Sequence, residues 1–88
     1  MKKIEFYGNK NVIFEFIKIN RMKMGLTQAE LAAKLQLMNV NIDQQMVSKI
    51  ENNTRMVTDY ELICLCSVLN IELREILADF SEKYIKSV

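Results

Sequence analysis

Between Leu26 and Leu62 one local pattern occurs three times. An apolar residue precedes a capping residue, and a second apolar residue stands four positions after the cap. The sets are Leu26, Thr27 and Leu31; Ile42, Asp43 and Val47; and Val57, Thr58 and Leu62. Each set predicts a helix start. The cap oxygen accepts a bond from a free backbone N–H in the first turn, and the apolar pair fixes the angle at which the chain enters the helix. Glu30 and Glu61 stand three residues after Thr27 and Thr58 and complete capping boxes. No proline and only two glycines, Gly8 and Gly25, punctuate a chain rich in Leu, Ile, Met, Lys and Glu. That composition predicts an all-α fold.

Five helices follow from the apolar periodicity. Helix 1 is expected over about Lys10–Met24, with Gly25 as its stop. Its apolar residues (among them Val12, Ile13, Phe16, Ile17, Ile19 and Met22) make more than one stripe. Either a second apolar surface faces another subunit, or a tight core takes the helix from several sides. Helix 2 covers about Gln28–Gln36, with Leu31, Ala32 and Leu35 inward. Helix 3 starts at Gln44. Helix 4 covers Asp59–Leu69, with Leu62, Ile63, Leu65, Cys66 and Leu69 as core candidates and Asn70 as its end. Helix 5 follows from about Ile71, where Leu73, Ile76, Leu77, Phe80 and Tyr84 recur at helical spacing. Residues 1–9 have two readings. Lys3–Tyr7 alternates like a short strand before a Gly8-Asn9 turn, or the segment is a loose arm. A length of 88 residues predicts one domain, 1–88.

Several function classes fall away. No apolar run approaches the roughly 20 residues that cross a bilayer, and Glu5, Gly8 and Asn9 break any signal-peptide core. No membrane association and a cytoplasmic location are therefore expected. Cys64 and Cys66, two apart on a helix, point to different faces and suit neither a mutual disulfide nor a metal clamp. The chain has no histidine, so neither a zinc site nor a histidine base for nucleophilic catalysis is available. No enzymatic activity, metal or cofactor is expected. Through Arg55, nine Lys and Arg stand against five Asp and Glu; from Met56 onward, three stand against six. A mildly basic first part fits a face presented to phosphates, although a solvated surface has the same composition.

Helix 3 carries the most specific chemistry. At about 100° per residue, Gln44, Ser48, Asn52, Gln45 and Lys49 fall within an arc of about 140°. Met46, Val47 and Ile50 lie opposite, with Glu51 on the border. Two glutamines in a first turn are poor core material, whereas a carboxamide bonds adenine at N6 and N7, and lysine reaches guanine O6 and N7. A helix entering the major groove by its N-terminal end brings such residues closest to base edges. An ordinary amphipathic surface helix carries polar residues on its outer side as well.

The ordered set of Arg21, Gly25-Leu26-Thr27-Gln28-Ala29-Glu30-Leu31-Ala32 and Val47-Ser48-Lys49-Ile50-Glu51-Asn52 closely resembles the Cro/repressor-type (XRE-like) helix-turn-helix family. The likeness continues through Thr54-Arg55 and Leu69-Asn70-Ile71 and covers about Ile13 to Leu77. It implies a five-helix lambda-repressor-like domain whose helix-turn-helix core spans about 27–52. By this resemblance Gln44, Gln45, Ser48 and Lys49 occupy base-reading positions. Thr27, Gln28, Asn52, Thr54 and Arg55 fall where phosphates are contacted, and Gln28 also braces the recognition helix. Arg21 and Glu51 match a pair that ties helix 1 to helix 3. One departure stands out: the turn Leu37–Ile42 is longer than the family's usual turn and has no glycine. Asn39 or Asn41 is expected to supply a left-handed residue there.

The function expected is a transcriptional regulator of duplex DNA. It is expected to be a homodimer on half-sites roughly 34 Å apart, joined by helix 5 and the outer apolar side of helix 1. The alternative is the same fold used as a protein-interaction module, such as an antitoxin or adaptor.

Overall fold

The computed structural model describes residues 5–85. Its helices are α1 (Phe14–Lys23), α2 (Gln28–Leu37), α3 (Gln44–Glu51), α4 (Asp59–Leu69) and α5 (Leu73–Phe80), and α5 runs on into a π-helical turn over Ser81–Ile85. No strand forms among the described residues, and the fold is all-α. The alternating stretch at Lys3–Tyr7 lies partly outside the described residues. Its visible end is a tight turn in which Phe6 and Asn9 exchange two backbone bonds of 2.9 Å. Tyr7 and Gly8 at its tip both have positive φ, as in a type I′ turn.

Local chemistry sets the helix starts. Thr27 Oγ1 accepts from the Glu30 N–H at 3.0 Å while Glu30 Oε1 accepts from the Thr27 N–H at 2.8 Å. Asp43 Oδ1 accepts from the Met46 N–H at 2.8 Å, and Glu61 Oε1 accepts from the Thr58 N–H at 3.0 Å. Caps of this kind stabilise by about 1 kcal/mol each. The stops are equally regular. The N–H groups of Leu26, Val40, Thr54 and Ile71 reach back to the carbonyls of Arg21, Leu35, Lys49 and Cys66. Each closes a Schellman motif around one left-handed residue: Gly25, Asn39, Asn53 and Asn70. One glycine and three asparagines thus end four successive helices.

Helix α1 begins later than the sequence predicts, at Phe14 in place of about Lys10. The reason is polar: the N–H groups of Lys10 and Asn11 go to the Asn53 side chain, and Asn11 Oδ1 accepts from the Ile13 N–H. Those bonds hold residues 10–13 outside the helix. Helix α5 likewise begins at Leu73, not Ile71, because Ile71 belongs to the stop of α4.

One core joins the elements. Ile13 and Ile17 meet Leu31, Ala32 and Leu35 of α2, Val47 and Ile50 of α3, and Leu65, Cys66 and Leu69 of α4. α2 and α3 pack directly together, and α1 lies against both α3 and α4. Truncating a fully buried member such as Leu35 or Ile50 to Ala costs about 2–5 kcal/mol. The long turn between α2 and α3 is part of this core. Val40 and Ile42 are both buried, Asn39 supplies the left-handed residue, and Gln36 Nε2 donates to the Ile42 carbonyl at 3.0 Å. The extra length is packed, not looped out.

One expected core residue faces solvent instead. Ile63 is 58 % exposed, because Leu62, Leu65, Cys66 and Leu69 already form the i, i+3, i+4, i+7 stripe of α4. On α5 only Ile76 is buried, while Leu73 and Leu77 stay half or more exposed. Phe80 and Tyr84 pack against Phe6 and Tyr7 of the N-terminal turn, with ring centroids 4.9–5.3 Å apart. No helix among the described residues is long and apolar enough to cross a membrane.

Candidate nucleic-acid interface

Helix α3 is amphipathic in the strict sense. Val47, Ile50 and Glu51 are buried, whereas Gln44, Gln45, Lys49 and Asn52 are exposed and Ser48 is half-buried. The open side carries two carboxamides in the first turn, one ammonium group further along and no carboxylate. Asn52 Nδ2 donates to Ser48 Oγ at 3.4 Å, so these two side chains lie together on that side.

The buried carboxylate of Glu51 fixes the helix behind this face. Its Oε2 accepts from Arg21 Nε at 2.7 Å, and its Oε1 accepts from Arg21 Nη2 at 3.0 Å and Gln28 Nε2 at 3.1 Å. Arg21 Nη1 donates to the Leu26 carbonyl at 2.7 Å. One carboxylate therefore joins α1, the α1–α2 turn, α2 and α3. Bidentate charge-assisted bonds of this geometry are directional as well as strong. The side chains are only 12 % and 2 % exposed, so water competes little for either charge. Bonding to Glu51 raises the Arg21 pKa further, against the opposing effect of burial.

The remaining residues singled out in the sequence are arranged around α3. Thr27 is exposed at the start of α2, with its hydroxyl committed to the cap. Gln28 is half-buried and tied to Glu51. Thr54 is exposed, its Oγ1 donating to the Lys49 carbonyl at 3.1 Å. Arg55, placed at a phosphate by the resemblance, makes a second bidentate pair: Nη1 and Nη2 donate to Glu61 Oε1 and Oε2 at 2.9 and 3.0 Å. The Arg55 guanidinium, with the Thr58 N–H, holds the Glu61 carboxyl below the usual glutamate range despite burial. Arg55 thus spends most of its charge inside the molecule.

Sequence reasoning missed three residues that hold the far end of α3. Asn9, Asn11 and Asn53 bond one another and the backbone across 42 to 44 residues of chain. Only Asn53 left a local signal, as an asparagine just past a helix end. No group of three or more His, Cys, Asp or Glu residues able to hold a metal occurs among the described residues. Burial pushes the Cys66 thiol up, which keeps it in the unreactive protonated form.

Comparison with known proteins agrees with this geometry. A helix-turn-helix family model matches residues 17–76, from within α1 to within α5. No curated protein and no solved structure matches the chain. With most of its length matched, and with α2 and α3 set as the two helices of the motif, the chain belongs to the XRE-type helix-turn-helix family of DNA-binding regulatory domains.

Proposed function

We propose that the protein is a sequence-specific regulator of transcription that inserts α3 into the major groove of duplex DNA. The observation that carries this is the contrast across α3. Its outer face is open, polar and free of negative charge, and its inner face is locked to α1 and α2 through Glu51. Gln44 and Gln45 are the primary base readers, with Ser48 and Lys49 behind them. Thr27, Gln28 and Asn52 line the approaches and supply uncharged donors to phosphates, and Thr54 joins them by turning its hydroxyl from the Lys49 carbonyl. Arg55 supports the same surface indirectly by holding the segment after α3 onto α4.

The protein acts as a homodimer in this reading, and in the cytoplasm, where its DNA lies. Ile19 and Met22 of α1 and Leu73 and Leu77 of α5 are each half or more exposed. α1 and α5 flank one groove of about 280 Å³ lined by Ile19, Asn20, Glu75 and Asp79 among others. A two-fold contact over these residues removes their apolar surface from water and sets two copies of α3 for a near-palindromic site. The same exposed side chains favour a second reading, a module that binds another protein, as an antitoxin or adaptor does.

Salt separates the two. Binding to a labelled duplex, followed by anisotropy, is expected to weaken at least tenfold between about 50 and 200 mM salt, as phosphate contacts release counterions. Binding that is absent, or indifferent to salt, contradicts the regulator reading and leaves the protein-interaction module.

A further inference from the structure

We propose that Asn53 and Asn11 are positioning residues for DNA reading, which fix the C-terminal end of α3 and so the angle at which Gln44 and Gln45 meet base edges. The proposal rests on the reading of α3 as the recognition helix. Asn53 does two jobs. Its backbone, at φ 61°, ends α3 with an N–H bond to the Ile50 carbonyl. Its side chain points to the N-terminal segment: Oδ1 accepts from the N–H groups of Lys10 at 2.9 Å and Asn11 at 3.2 Å, and Nδ2 donates to Asn9 Oδ1 at 2.8 Å. Asn11 is buried and completes the brace. Its Nδ2 donates to the carbonyls of Ile50 and Arg55, both at 3.0 Å, which lie on either side of the chain's exit from α3.

Ending a helix does not require this. Asn39 and Asn70 occupy the same left-handed position after α2 and α4, yet their side chains make no hydrogen bond among the described residues. The side-chain brace is confined to α3. It is also tied outward, because Asn9 Nδ2 donates to Tyr84 Oη at 3.3 Å and the turn carrying Asn9 packs its aromatic rings on Phe80 and Tyr84. The leverage is large. An eight-residue helix is about 12 Å long, so a tilt of about 5° about its C-terminal end moves its first turn by about 1 Å. Base contacts tolerate about 0.5 Å.

Two variants isolate the brace. Asn53→Gly keeps the left-handed turn without steric cost and removes all three side-chain bonds. Asn9→Ala removes the acceptor for Asn53 Nδ2, the outward bond to Tyr84 and the Nδ2 bonds within its own turn, at a site outside every helix. Dissociation constants for the duplex site selected by the wild type, and for an unrelated duplex of equal length, are measured where circular dichroism shows each variant folded. Asn53→Gly is expected to bind the selected site about tenfold more weakly, the loss of one good base contact. The unrelated duplex and the salt slope stay unchanged, because no charge is altered. Asn9→Ala shifts the ratio in the same direction by about threefold, a partial loss of one such contact, and it carries the test if the glycine variant does not fold. Asn53→Asp retains the Oδ1 acceptor but loses the Nδ2 bond to Asn9, so its ratio falls about as in Asn9→Ala while its added charge weakens both duplexes alike. An unchanged ratio in Asn53→Gly, or in Asn9→Ala where only that variant folds, overturns the brace alone. A wild type that prefers no duplex overturns the DNA-reading assignment itself, and the brace with it.

Discussion

The two ends of α3 are built in opposite ways. At the N-terminal end one local bond, from the Met46 N–H to Asp43, caps the helix, and Gln44 and Gln45 project into solvent. At the C-terminal end Glu51 is buried under Arg21 and Gln28, and Asn11 and Asn53 bind the backbone as it leaves. One end is left open and the other is over-determined. A helix held at one end and along its inner side presents the opposite end in a defined position without spending that end's side chains on its own support. Such preorganisation is what a base-reading surface requires.

This contrast can be broken from either side. The largest effect belongs to Glu51→Ala, which leaves the mostly buried Arg21 guanidinium without its carboxylate and held only by the Leu26 carbonyl; about 3–5 kcal/mol of stability is expected to go, measured by urea unfolding. That is a large share of what a small domain possesses. Gln44→Ala and Gln45→Ala act only at the open end. Each is expected to cost about 1–3 kcal/mol in binding at one or two base positions, while the unfolding free energy stays within about 0.5 kcal/mol of wild type. Asp43→Ala removes the local cap, and calorimetry or urea unfolding should show a loss of about 1 kcal/mol.

The smallest effect is a pH dependence from the neighbouring pair. The Glu61 carboxyl is held below its ordinary value of 4.5 in the folded protein. Its contribution is therefore fully present above that value and lost as pH falls through the lower folded value. Melting temperature should be flat near neutrality and decline in acid, and Glu61→Gln should flatten the acid limb. Arg55 is expected to act through the same pair: Arg55→Ala lowers stability and leaves the salt slope of DNA binding in place, whereas a phosphate-bound arginine would reduce that slope by about one.

The open end of α3 was legible in the sequence, and the Arg21–Glu51 tie and the Gln28 brace came through the family resemblance, whereas the asparagine brace was not legible. Thr27, Asp43 and Glu30 act on backbone groups within three residues, so the chain itself encodes their partners. Leu31, Ala32 and Leu35 follow from helical spacing, and Gly25 and Asn70 mark stops by their left-handed tolerance. Asn11 and Asn53 find their partners only after α1 and α3 have packed, and nothing in an asparagine's neighbourhood names a carbonyl some 39 or 44 residues away. Arg55 shows the reverse case. Its partner is six residues on, but Glu61 already had a role in the α4 capping box, and the bidentate pair to Arg55 was hidden behind it. Val40 was hidden too, since an unusually long turn reads as loop until its apolar residue is seen to enter the core.

The most direct test of α3 as a reading helix is selection from a random duplex library, run in parallel with wild type and Gln44→Ala. The account predicts that the wild type enriches a defined site and that Gln44→Ala relaxes it at one or two positions while the rest of the site persists. Enrichment of no site by the folded wild-type protein, or an identical site from both proteins, would contradict it.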